Sequence, residues 1–487
     1  MHTRAQMGLL AGAALPLIAS WTLPGQTAKA ESLPNIVFIL SDDQPDDALG
    51  CAGHPVIDTP HIDRLAYNGV RFANAFVTTS ICMASRGTIL TGLTETGSGY
   101  TGGPLPATPL LKEDIDTSFP VKLKEAGYRT GFFGKVHLRF QEGERAAITR
   151  MFDEFEEVFR APYFKEMPDG TQRHETDLIG DHSVDFLAAQ TNTQPFFLYM
   201  SFNAPHAEDH DRRPGIGHFP WPPSTDGMYE DIDPAPPRLG DPRYFDVQPD
   251  FLKESLNRAR WYWRWDTPEK YRVNMRAYFR MITGIDHVVG RVYEKLEELG
   301  LADNTLIIFS SDNGFYLGNR GFAGKWSHYE ESLRVPLIVY DPRLPEAKRG
   351  RLVAPLALNL DFPSTILEFA GVNIPDKYQG RSLLPIIQGE TPADWRTDFF
   401  CEHRYHHEQL PKWRGVRGER YTYAHYYEED YEFLFDLQRD PTQFQNLAKD
   451  PNHRAKLEQL RARAKELEEQ YTRPEVVAYK ETFEQNP

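Results

Sequence analysis

The sequence predicts an α/β protein: a large, mostly parallel (mixed) central sheet sandwiched by helices, followed by a smaller C-terminal α+β domain with a short antiparallel sheet. Three observations carry that expectation. Apolar, β-rich runs alternate with helical patterns through the first three quarters of the chain. The runs are apolar at consecutive positions, the pattern of strands buried on both faces. Near residues 389–398 the alternation stops and shorter strand-like pieces replace it.

The elements follow in order. His2 and Arg4 precede an apolar run from Met7 to Ser20, and Ala28-Lys29-Ala30 offers a small-residue cleavage site. Residues 1–30 therefore read as a signal peptide, too short for a membrane span. The mature chain is expected to be exported, periplasmic or secreted, and free of the membrane after cleavage. Residues 35–40, 128–133, 196–200, 305–309 and 335–340 read as strands, and 60–68, 175–190 and 271–299 as helices. The alternation implies a sheet covered by helices on its faces. Residues 207–269, rich in Pro, Trp, Arg and Asp, read as an elaborate loop region. Beyond it, 397–401, 413–417, 421–426 and 433–436 read as short strands, and 451–471 as a charged helix. The expected division is a catalytic domain over 31–390 and a small domain over 391–487.

The net charge of -16 argues against nucleic acid or an anionic membrane as a partner. A small site can still be locally basic. The chain holds three cysteines, Cys51, Cys82 and Cys401. An odd number in an oxidising compartment leaves one unpaired, so a disulfide framework is not expected.

The residues after the strands are the informative ones. Leu40 leads into Ser41-Asp42-Asp43, and Phe133 into Gly134-Lys135-Val136-His137. Met200 leads into Ser201-Phe202-Asn203-Ala204-Pro205-His206, and Phe309 into Ser310-Ser311-Asp312-Asn313-Gly314. In an open α/β sheet, ligands bind outside the carboxyl ends of the strands. Asp42, Asp43, Asp312 and Asn313 are hard oxygen donors, suited to Ca²⁺ or Mg²⁺ rather than zinc. Each pair alone also reads as a helix or turn cap; two pairs after two buried strands favour the metal. Cys82 opens a segment that reads as a helix ending near Gly92. A nucleophile there meets the positive end of a helix dipole; the alternative is a small buried cysteine.

Cys82-Met83-Ala84-Ser85-Arg86, with Leu90-Thr91-Gly92 after it, resembles the C-x-P/A-S-R and L-T-G signature of the type I sulfatases. These are formylglycine-dependent members of the alkaline-phosphatase-like superfamily. The resemblance extends along nearly the whole mature chain. It takes in Asn35 to Gln44, Thr59 to Ala66, Gly69 to Phe72, Ser311 to Gly314 and Gly324-Lys325-Trp326. Glu330 to Pro336, Leu434 to Pro441 and Asn446-Leu447 continue it. Two departures stand out: Ala84 occupies the usual proline position, and Lys135 to Arg139 lacks the tryptophan and glycine that often surround this Lys and His.

The resemblance implies a mechanism. A formylglycine-generating maturation enzyme oxidises Cys82 to an aldehyde, which hydrates to a gem-diol. One hydroxyl attacks sulfur and the ester alcohol leaves; loss of the other hydroxyl's proton expels sulfate and restores the aldehyde. A cation, Ca²⁺ with Mg²⁺ the alternative, is held by Asp42, Asp43, Asp312, Asn313 and the modified Cys82. Arg86 fixes the diol, and Lys135 and Lys325 hold sulfate oxygens. His137 is the base that breaks down the sulfo-enzyme, and His206 with Lys325 protonates the leaving oxygen. His54, His210, His218, His403, His406 and His407 read as structural. Trp261, Trp263 and Trp265 fit a sugar platform or, better, internal packing. The expected activity is a sulfatase acting on a sulfate monoester of a carbohydrate or polysaccharide. A phosphonate or phosphate ester hydrolase of the same superfamily and a non-catalytic exported binding protein are the rival readings.

Overall fold

The computed structural model describes residues 33–485 apart from 103–106, 192 and 212–217; the signal peptide expected over 1–30 lies outside the described residues. Eight strands form the central sheet: β1 (Asn35–Ser41), β2 (Val70–Phe72), β3 (Arg129–Gly134), β4 (Glu154–Glu157), β5 (Phe196–Ser201), β6 (Thr305–Ser311), β7 (Leu337–Tyr340) and β8 (Arg351–Val353). Their spatial order is β8-β2-β7-β6-β1-β5-β3-β4. β7 runs antiparallel to both neighbours, and every other pairing is parallel. The sheet is mixed and mostly parallel, as the continuous apolar runs imply.

β1 shows why the sheet is sandwiched. All seven of its residues are buried. Ile36, Phe38 and Leu40 join one apolar core, while Val37 and Ile39 join the other. The period-two alternation of a strand sends successive side chains to opposite faces, so a central strand must be apolar throughout. Each buried Ile, Leu, Val or Phe adds roughly 1.5–3 kcal/mol to that packing. One face is covered by α2 (Cys82–Thr91) and α6 (Phe362–Phe369), the other by α1 (Pro60–Tyr67), α3 (Glu175–Ala188) and the long α5 (Pro268–Glu298).

Residues 207–269 depart from the loop expectation. They include α4 (Leu256–Arg264) and two single-turn helices. The periodicity is hidden because α4 packs with arginines and tryptophans instead of aliphatic residues. Arg258 lies 3.8 Å from the Trp261 ring, and Trp265 packs on Phe219. These contacts give Trp261 and Trp265 a packing role.

After the central sheet come β9 (Asp398–His403), β10 (Trp413–Gly418), β11 (Tyr421–Tyr426) and β12 (Tyr431–Asp436), an antiparallel meander. α7 (Arg454–Tyr471) lays Leu457, Leu460, Ala464 and Leu467 against Phe400, Val416, Tyr423 and Leu434 of this sheet. Among the described residues, no helix is long and apolar enough to cross a membrane. Cys51, Cys82 and Cys401 are all free thiols.

Candidate active site

The carboxyl ends of β1, β5, β3 and β6 meet at one edge of the sheet. β1 and β6 run in register to Ser41 and Ser311, so Asp42 and Asp312 emerge side by side. The Asp312 amide donates to the Ser41 carbonyl at 3.0 Å, and the Asp42 amide to Ala204 at 3.0 Å. On the other flank, Gly134 pairs with Ser201, and the Lys135 amide donates to the Ser201 carbonyl at 2.7 Å. A Cβ on Gly134 would sit 1.9 Å from that carbonyl, which is why the strand ends in glycine.

α2 delivers the next group of side chains. Ile81 is extended, Cys82 takes the first helical position, and Gly92 ends the helix in the left-handed region at φ 70°. Nine of the ten helical residues are buried, Arg86 among them. The Cys82 Sγ lies 3.4 Å from His137 Nδ1. Arg86 Nε donates to Asp312 Oδ2 at 2.7 Å, and its two terminal nitrogens donate to the Lys135 and Phe202 carbonyls at 3.2 Å each.

Two ammonium groups complete the ring. Lys135 Nζ bonds Asp42 Oδ2, and Lys325 Nζ bonds Asp43 Oδ1 and lies 3.7 Å from Asp42 Oδ1. Lys325 follows Gly324 at φ 127°, and its carbonyl accepts from Asn257 Nδ2 at 2.6 Å. The helix in the supposed loop region, α4, therefore holds this lysine in place. His206 Nε2 is 3.6 Å from Asp43 Oδ2. Asp43, His137 and Trp326, all at this edge, have left-handed backbones with φ 61°, 51° and 76°. Such conformations cost a non-glycine residue about 1–3 kcal/mol and gather at functional sites.

The electrostatics follow from burial. Asp42, Asp43, Asp312, Asn313 and Lys325 are at most 1 % exposed. Burial disfavours ionisation of Asp42, yet Lys135 and Lys325 outweigh it and hold that carboxyl well below the usual range. Burial pushes Asp312 up to about 8, with the Asp42 charge adding to the rise and Arg86 opposing it. Burial, then the Lys135 charge, hold His137 well below the ordinary histidine value. At neutral pH its imidazole is uncharged.

The oxygen donors fit a hard cation. Asp42 Oδ1, Asp43 Oδ2 and Asn313 Oδ1 are buried and accept no hydrogen bond. Buried polar atoms are nearly always partnered, so three orphaned oxygens on residues of one strand edge mark a place for a ligand. Among the described residues, Asp42, Asp43 and His206 form a His/Cys/Asp/Glu group close enough to share an ion. Asp312 instead accepts from Arg86 and, at 3.3 Å, from the Asp43 amide. Sequence reasoning did not single out Ser201, Arg160 or Asp209. The Ser201 hydroxyl bonds Arg86, and Arg160 contacts His206 and Asp209. Ser201 sits inside a quoted strand-end segment, whereas the arginine lies in a loop with no sequence signal.

Two of the histidines read as structural have packing roles in the fold. His54 Nδ1 accepts the Val56 and Ile57 amides, and His403 is buried at the end of β9.

Comparison with known proteins bears on what this edge does. A family model described as Sulfatase matches residues 34–372, and one described as N-sulphoglucosamine sulphohydrolase, C-terminal, matches 318–470. An N-acetylglucosamine-6-O-sulfatase of Bacteroides thetaiotaomicron is 29% identical over 496 residues, spanning 90% of this chain and 87% of its own. A solved structure in complex with its substrate D-glucosamine-2-N,6-O-disulfate superposes with a TM-score of 0.75 at 25% identity, covering 90% of this chain and 98% of that one. A phosphonate monoester hydrolase from Silicibacter pomeroyi superposes at 0.71, also 25% identical, covering 88% and 94%. The mixed sheet with its separate antiparallel meander is thus the alkaline-phosphatase-like fold. With the first family model running from β1 past the last strand of the central sheet, this chain belongs to the sulfatase family, the hydrolases of sulfuric esters.

Proposed function

We propose that this protein is an exported sulfatase that removes sulfate from a glycan, with Cys82, as formylglycine, at the reacting centre. The carrying observation is the buried ring itself. A cysteine at a helix start faces His137 beside a buried, ion-paired set of Asp42, Asp43, Asp312, Arg86, Lys135 and Lys325. Formylglycine would supply a hydrated aldehyde, one hydroxyl for attack on sulfur and a second to release sulfate. A divalent cation, Ca²⁺ first and Mg²⁺ second, fits Asp42, Asp43, Asp312 and Asn313 and would polarise a sulfate oxygen.

The remaining roles belong to side chains. Lys135 and Lys325 hold sulfate oxygens as fixed charges in a water-poor setting, where they act more strongly than in bulk. Arg86 orients the nucleophile from the first turns of α2. His137, uncharged and 3.4 Å from the cysteine sulfur, is placed to take a proton there. His206 and Lys325 serve the leaving oxygen. The division into a catalytic part over 31–390 and a small part over 391–487, and export after loss of residues 1–30, belong to the same proposal.

Two of the relatives point to amino-sugar sulfates: one is named an N-acetylglucosamine-6-O-sulfatase, and one was solved with its substrate D-glucosamine-2-N,6-O-disulfate. A glucosamine 6-sulfate is therefore the first substrate to assay. The phosphonate hydrolase likeness supplies the competing reading. Matched sulfate, phosphate and phosphonate esters of one alcohol separate the two. Preferential turnover of the sulfate is expected, and preferential turnover of a phosphorus ester overturns the sulfatase reading. Peptide mass spectrometry over Cys82 tests the nucleophile, since full activity with an unmodified thiol would refute it.

A further inference from the structure

His206 and Lys325, the two groups that serve the leaving oxygen, are each flanked by an arginine from a distant part of the chain. Arg160, in the loop after β4, sets Nη1 against His206 and donates from it to the Ala207 carbonyl at 2.6 Å. Arg260 comes from α4, where Asn257, Arg260 and Arg264 follow at the three- and four-residue spacing that puts side chains on one face. Asn257 holds the Lys325 carbonyl, and the Arg260 guanidinium lies 4.8 Å from the ring of Trp326, the next residue.

Asp209 ties these two arginines together. It accepts from Arg160 at 3.5 Å, from Arg260 at 3.0 Å and from Arg264. Arg264 is fully buried, so it has the greatest need of a counter-charge, and Asp209 supplies it. Among the described residues the three arginines pair with no other carboxylate, and Glu208, next along the loop, accepts the His210 amide at 3.2 Å. Positive charge is therefore in excess here. It also has donors to spare. The hydrogen bonds of Arg160 among the described residues all start from Nη1; Arg260 gives Asp209 only Nη2, and its Nε is buried with no partner. The side chains of Arg160 and Arg260 are 23 % and 13 % exposed, against 0 % for Arg264, so these two meet solvent.

We infer that Arg160 and Arg260 form a subsite for a second oxyanion, a sulfate or a carboxylate, on the glycan whose sulfate ester is cleaved. A guanidinium offers a planar fork of N–H donors that matches the oxygens of either group. The sugar attached to the leaving oxygen comes up beside His206 and Lys325, and so beside these arginines. A neutral sugar there desolvates two guanidiniums without answering them, whereas a sugar with a second negative charge pairs with both. A site built to bond such a group discriminates against the analogue that lacks it. On a chain of net charge -16, this fixed local excess of positive charge is what lets a doubly charged glycan approach. The place of the subsite relative to the ester rests on the sulfatase reading, whereas the preference for an anion does not.

Kinetics test the subsite. Arg260→Gln is compared with wild type on N-acetylglucosamine 6-sulfate and on two doubly charged esters, glucosamine 2-N,6-O-disulfate and a hexuronate-linked N-acetylglucosamine 6-sulfate. On one or both doubly charged esters kcat/KM should fall about 30-fold further than on the singly charged one, the loss of one charge-assisted contact. The ester that suffers identifies the second anion as sulfate or carboxylate. Arg260→Lys, which keeps the charge without the fork, should recover part of that difference. Equal losses on all three esters overturn the subsite. Binding tests it without any variant and without turnover. Glucosamine N-sulfate or hexuronate-linked N-acetylglucosamine, neither carrying the 6-sulfate, should bind wild-type protein about 30-fold more tightly than N-acetylglucosamine by calorimetry. Equal affinities for all three sugars overturn the subsite. Wild-type protein that keeps this preference but turns over none of the esters would instead overturn the sulfatase reading and leave the subsite standing.

Discussion

Two parts of this molecule bury charge, and they do so to different ends. Near α6, Asp361 accepts the Leu358 and Arg381 amides at 2.8 Å each and both terminal nitrogens of Arg396. Both carboxylate oxygens are answered there, and the group ties the start of α6 to the approach to β9. At the carboxyl ends of β1 and β6 the charges are as deeply buried, but three oxygens stay unanswered. Three left-handed residues lie beside them. A completed network holds the fold together; an incomplete one is held open by the fold for something else.

Mutations at the two places should therefore separate activity from stability. Cys82→Ala has the largest expected effect, a loss of kcat of about a million-fold, as when other covalent nucleophiles are removed. Its unfolding free energy should move by only about 1 kcal/mol; a large loss of stability would erase the contrast. Asp361→Ala should do the reverse, destabilising the fold by about 3–5 kcal/mol because Arg396 is left buried and unpaired. Chemical denaturation of the two variants checks both numbers.

Calcium provides the next test. Added at roughly 100 times its dissociation constant, it should raise the unfolding free energy by about 2.7 kcal/mol. Asp42→Ala should remove that gain. Stabilisation that survives the substitution would move the cation elsewhere. The smallest effect belongs to the exterior: Glu432→Gln, which weakens the half-exposed pair with Arg461, should cost under about 1 kcal/mol.

Much of the site is legible because the chemistry sits one to five residues past a strand that must be apolar. A run such as Asn35 to Leu40 announces its own end, and Asp42 and Asp43 follow at once. The same logic exposes Lys135, His137, His206, Asp312 and Asn313. Short strands are less legible. β4 reads Glu-Phe-Glu-Glu because it is an edge strand with polar positions facing outwards, and three-residue β2 and β8 carry too little pattern to register. α4 stays hidden because its packing partners are arginines and aromatic rings from distant segments. Arg160 is hidden for a different reason: it meets His206 across 46 residues, and a single arginine in a loop has no periodicity to betray it.

If Cys82 is oxidised as proposed, its position also constrains when that can happen. The residue is 5 % exposed, and the helix it begins is packed on nearly every side. On the formylglycine proposal, an enzyme that oxidised Cys82 by threading Cys82 to Arg86 through its own active site would need an extended chain, and the folded protein offers a closed helix. Oxidation and folding would then compete for the same segment. Protein that folded first would be trapped as thiol, so the fraction of active molecules in a preparation would record the outcome of a race between two rates.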